Sequence, residues 1–199
     1  MTELLQGNPW AATAIVALLA TVAALIAHRI GRALLLRAVR GAPLMHAIIE
    51  AMEHPAGAAL PLIALQMVWT GAPDDLLYIE SVRHVNALLL IGALTWLAMD
   101  AIGGLATGVI ARHPVTIEDN LQARRIQTQA RVLSRSAMVL VLLGGAAMAL
   151  MTFPGARQLG ASLLASAGVI GIVAGIAARP VFSNLIAGLQ LAQIGRAHV

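Results

Sequence analysis

The chain has 199 residues, 59% hydrophobic and 11% charged, with a formal net charge of +4 and no cysteine. Soluble domains are typically about 45–50% apolar and about 25% charged, and one of this size cannot hide so much apolar surface from water. Soluble globular, disordered, collagen-like and disulfide-framework classes are thereby excluded, and an integral membrane protein remains.

A spanning helix needs about 20 mostly apolar residues. Trp10–Ala27 carries no charge and is the first candidate. It has no basic lead-in, Glu3 being the only charge before it, so it does not read as a cleavable signal peptide. The second is Ala56–Pro73, with a more polar approach from Leu44 that contains Glu50, Glu53 and His54, and with Pro55 and Pro61 interrupting it. Asn86–Ala111 is the third, holding a single charge, Asp100; Ala137–Ala156 and Leu159–Ala178 are the uncharged fourth and fifth. The predicted fold is therefore all-α, with about five transmembrane helices.

All basic residues are arginines, and their placement predicts orientation. Arg29, Arg32, Arg37 and Arg40 follow the first span; Arg112, Arg124, Arg125, Arg131 and Arg135 lie between the third and fourth; the opposite side has Arg83 and Arg157 beside Asp74, Asp75 and Glu80. This asymmetry places the N-terminus outside and residues 113–135 inside. Thr116-Ile-Glu-Asp119 resembles a capping box, and the residues through Arg135 fit a helix running into the fourth span. Its arginines read either as a solvated linker helix or as contacts to anionic headgroups of membrane lipids. With aromatics at 3% and the arginines between apolar runs, no nucleic-acid partner is expected.

Two charged features admit a functional reading. His46, Glu50, Glu53 and His54 share one helical face, as metal ligands would, but match no standard ligand motif; hydration near the inner interface is the plainer reading, and no metal is expected. Asp100 lies near the middle of the third span, where a carboxylate serves either packing or an ion path. No nucleophile–base–orienter set and no phosphate loop stands out, so neither an enzyme nor a cofactor is expected.

The fifth span is unlike the others. Twelve of its twenty residues are Gly, Ala or Ser. At about 100° per residue, Gly168, Gly171 and Gly175 fall on one side. Val169, Val173, Ser162 and Ser166 fall on another, and Ala165, Ile172 and Ile176 form a narrow stripe between them. Two packing faces with a stripe between suit a ring of identical helices; an ordinary small-residue contact inside one bundle is the alternative. Arg179-Pro180 follows, where a kink or break is expected, and Val181–Leu191 reads as a second half-helix.

The run from Ser162 to Gly188 resembles the pore helix of the small-conductance mechanosensitive channel (MscS) family. By that resemblance Ala165, Gly168, Gly171 and Gly175 are pore-helix packing positions, Ile172 and Ile176 stand where the family has its pore seal, and Asn184 and Gly188 match its continuation. The family's kink falls on Arg179-Pro180, which departs from its Gln-Gly. Asp119–Gln129 and Met151–Gly155 resemble a prokaryotic subgroup with extra N-terminal helices. The resemblance implies a homo-oligomer, a heptamer in the usual form, in the bacterial inner membrane, opened by tension to pass ions and small solutes. The alternatives are a polytopic secondary transporter, with Asp100 or Glu53 on its ion path, and a non-conducting scaffold. The expected organisation is N-terminal helices over 1–112, a linker helix over 113–135 and a channel core over 136–192. Residues 193–199 can be encoded by a common sequencing adapter, so a cytosolic β-rich domain is expected beyond Ala192 in the complete gene.

Overall fold

A computed structural model describes residues 9–112 and 121–194. Its elements are α1 (Pro9–Ala38), α2 (Pro43–Ala51), α3 (Glu53–Gly71), α4 (Ile79–Ala111), α5 (Leu121–Met151) and α6 (Arg157–Ile194). Among the described residues there is no strand. Four stretches are each long and apolar enough to cross a membrane: Pro9–Ala38, Ile79–Ala111, Ala123–Met151 and Arg157–Pro180. The α2–α3 pair qualifies together and is bent by 56°. The most apolar part of α1, α4 and α5 is only 11% buried, and that of α6 not at all. A chain this exposed and this apolar is compatible with a multi-pass membrane protein.

The helices pack in a series. α1 lies on α3, both α2 and α3 lie on α4, α4 on α5, and α5 on α6. Neighbours run antiparallel, as the cross-contacts show: Arg32 meets Glu53, Asn86 meets Gln66 and Gly160 meets Met151. Close approach is made by glycines, as expected where apolar lipid leaves packing rather than hydrophobicity to bring helices together. A Cβ on Gly104 would lie 2.8 Å from the Ala51 Cβ and 2.9 Å from the Ala47 carbonyl oxygen. One on Gly108 would lie 2.6 Å from a Leu44 methyl, and Gly145 leaves no room beside the Thr95 side chain. The hydroxyls of Thr13, Thr21 and Thr95 donate to carbonyls one turn back, so each is satisfied within its own helix.

The arginine-poor end is tied together by polar groups. Arg83 donates from Nε to the Trp69 carbonyl (2.8 Å) and from Nη2 to the Ala72 carbonyl (2.8 Å), and its Nη1 meets Asp74 at 2.7 Å. The Trp69 carbonyl also accepts from the Ala72 N–H (3.3 Å), so the guanidinium adds to the bonding at the end of α3 and ties it to α4. Beneath it, Ala72, Leu76 and Ile79 form a buried cluster flanked by Trp10 and Trp69. Deeper in, buried Asn86 donates from Nδ2 to the Gln66 Oε1 (2.6 Å) and to the Leu62 carbonyl (3.1 Å), joining α3 to α4.

Three boundaries differ from expectation. The second span is broken at Met52, not at its prolines. Pro55 sits in the first turn of α3, where its missing N–H costs nothing, and Pro61 is accommodated inside the helix. The fourth span ends at Met151 rather than at Ala156, with a turn over 152–156; the residues before it run into it as one helix, α5, and the capping-box residues 116–119 lie outside the described residues. α6 is continuous through Pro180, so the two expected half-helices are one helix.

Candidate functional site

α6 is the element on which the sequence places most of its candidate residues. It starts after the short turn at residues 152–156 and packs closest on α5 at Gly160. A Cβ there would fall 2.5 Å from the Ala147 carbonyl oxygen and 2.6 Å from the Met151 Cγ, so the two backbones cross almost in contact. An edge-on ring contact between His84 and Phe153, centroids 4.9 Å apart, holds the turn against the start of α4.

Beyond Gly160 the packing thins. Ala167 is half-buried, and from Gly168 to Ala177 every residue is exposed. A Cβ added to Gly168, Gly171 or Gly175 would meet nothing within 4 Å. Ala165 is exposed, as are Ile172 at 66% and Ile176 at 68%. The two isoleucines stand one turn apart on one side of the helix. Within the chain α6 packs on α5 alone among the described elements. The hydroxyls of Ser162 and Ser166 donate to the Gln158 and Ser162 carbonyls, so each donor is satisfied within the helix.

Further along the helix Arg179 and Pro180 are exposed. Pro180 has no N–H for the Ile176 carbonyl, so one hydrogen bond is missing beside an isoleucine of the candidate seal. Asn184 and Gly188 belong to the same continuous helix; their side chains lie outside the described part.

Asp100 is not brought to α6. It is half-buried on α4, one turn before Gly104, and has no ion pair or hydrogen bond among the described residues. Gly104 abuts Ile48 and Ala51, so Asp100 stands near the level of the α2–α3 break. The His46–Glu53 face is divided between partners. His46 Nδ1 lies 3.6 Å from Glu50, whereas Glu53 pairs with Arg32 on α1 at 2.7 Å. Among the described residues no group of three or more His, Asp or Glu side chains is placed to hold a metal ion.

Sequence reasoning missed Arg32–Glu53 and Arg83 as organising residues. Arg32–Glu53 links α1 to α3, and Arg83 reaches back across the turn from α4 to the end of α3, so only their charge was visible in advance. Compared with known proteins, the chain matches no family model, no curated protein and no solved structure.

Proposed function

We propose that the chain is the membrane part of a mechanosensitive channel subunit of the MscS type, with α6 as the pore-lining helix of a homo-oligomeric ring. The observation that carries this reading is the unpartnered glycine face of α6. The glycines of α4 and α5 at positions 104, 108 and 145 are filled by neighbouring helices; those at 168, 171 and 175 meet nothing among the described residues, as do Gly92 and Gly144, but on α6 three such glycines share one side. Small residues bring helix backbones close, and here a second copy of α6 supplies the missing backbone. The resemblance of Ser162–Gly188 to the family's pore helix points the same way.

In such a ring every subunit contributes Ile172 and Ile176 to two apolar collars. Water in a narrow apolar collar lacks hydrogen-bond partners and leaves, which stops ions; widening re-wets it. Tension favours the wider state because that state occupies more membrane area. The arginine bias supports an N-terminus outside the cell membrane. Permeating ions and small solutes are the cargo.

Patch recordings at controlled pressure, on the product of the complete gene, test the assignment. Ile172→Ser and Ile176→Ser should each lower the tension threshold or produce a leak. An unshifted threshold in both variants at normal expression removes the seal from these residues. Closed-state access of Asp100→Cys to a permeant thiol reagent would instead favour a transporter-type path through the broken α2–α3 span.

A further inference from the structure

α6 carries two charged residues, Arg157 at its start and Arg179 just before its proline, and both are arginines. No Asp or Glu follows Asp119 in the sequence, so neither α5 nor α6 has a carboxylate to offer them. Arg157 is turned back, its Nε donating to the Met151 carbonyl at 3.4 Å. Arg179 is exposed, and its side chain has no ion pair or hydrogen bond among the described residues. Because α6 runs unbroken through Pro180, helical register fixes where Arg179 stands around the axis. Seven residues at about 100° each fall about 20° short of two turns, so Arg179 lies under Ile172, on the glycine side of the isoleucine stripe. An unpaired guanidinium is costly between two close-packed helices, and no copy of α5 or α6 brings a carboxylate to pair with it. In a ring of α6 helices the water-filled lumen beyond the seal is the place left for it.

We infer that Arg179 gives the pore a preference for anions over cations, each subunit adding one guanidinium to a cationic collar just past Ile176. This inference rests on the reading of α6 as a pore helix. Rings of Arg or Lys favour anions as rings of Asp or Glu favour cations. By helical rise Arg179 is about 4.5 Å along the axis from Ile176 and about 10.5 Å from Ile172, within about one Debye length in 0.1 M salt. Its field therefore reaches the constriction. At about 8 Å in a water-like dielectric, one unit charge biases a monovalent ion about twofold, and the contributions of the subunits multiply. No carboxylate on α6 opposes the collar, so a permeating cation meets only repulsion from the charges of this helix.

Reversal potentials of tension-opened channels from the complete gene, measured across a KCl gradient, test this. Arg179→Gln should lower the chloride-to-potassium permeability ratio by at least about threefold, whereas Arg179→Lys, which keeps the charge, should preserve it. Arg179→Cys supplies an independent arm, read against wild type treated with the same reagents. A cationic methanethiosulfonate applied from the arginine-rich side should restore the anion preference, and an anionic one should push the ratio further towards potassium. A wild-type ratio in Arg179→Gln, or no change when Arg179→Cys is exposed to either reagent, overturns the assignment and leaves the channel reading in place. That is the pattern expected of a guanidinium that reaches lipid headgroups or packs between subunits. Wild-type protein that passes no tension-opened current removes the channel reading, and the anion preference with it.

Discussion

Gly104 and Gly171 are the same residue type in two environments. At Gly104 an added methyl would sit 2.8–2.9 Å from Ala51, Ala47 and Ile48, two of these contacts being to backbone that cannot step aside. Gly104→Ala should therefore separate α2 from α4 and cost about 1–3 kcal/mol, read as a lower unfolding midpoint in detergent. At Gly171 the same methyl meets nothing among the described residues, and alanine is the better helix former by about 1 kcal/mol. Gly171→Ala should leave the subunit's own stability unchanged or raised. Its effect should appear only in assembly, as a shift towards smaller oligomers on crosslinking. A drop in subunit stability for Gly171→Ala would place that glycine against its own chain. The sequence shows both glycines equally; what separates them is the identity of the neighbouring helix, which no local spacing encodes.

At the level of single helices, long runs with at most one charge were enough to locate α1, α4, α5 and α6, because the apolar length needed to cross a bilayer is large and hard to imitate. The second span was harder. Pro55 and Pro61 drew the expected interruption to themselves, yet the first turn of a helix has no use for the N–H that Pro55 lacks, and the chain breaks at Met52 instead. The glycine side, the Val/Ser side and the stripe between them on α6 were legible from period alone, but that Gly168 to Ala177 lie exposed needed the three-dimensional structure. Pro180 stands inside a continuous helix and leaves the Ile176 carbonyl without its helical donor. Pro180→Ala should restore that bond and slow amide exchange around residue 180. In the assembled protein it should also alter closing or inactivation, with membrane insertion unchanged. Unaltered kinetics with slowed exchange would show that the missing bond has no part in gating.

Over the whole molecule, the arginine asymmetry makes a prediction about sidedness. The chain contains no cysteine, so single cysteines report without background. Asp75→Cys should react with an impermeant reagent from outside the cell and Thr128→Cys should not; the reverse pattern overturns the orientation. α1 to α5 are joined by several lateral contacts, with Arg83, Asn86 and the Arg32–Glu53 pair spanning between helices. α6 is held differently, by one neighbour and most closely near one end. Mechanically it is a cantilever with its fulcrum at Gly160. Ile176 lies sixteen residues along that arm, about 24 Å from the fulcrum, so a tilt of only about 10° carries it sideways by about 4 Å. In the proposed channel, a modest change in the angle between α5 and α6 would thus be geared up into a displacement on the scale of an isoleucine side chain.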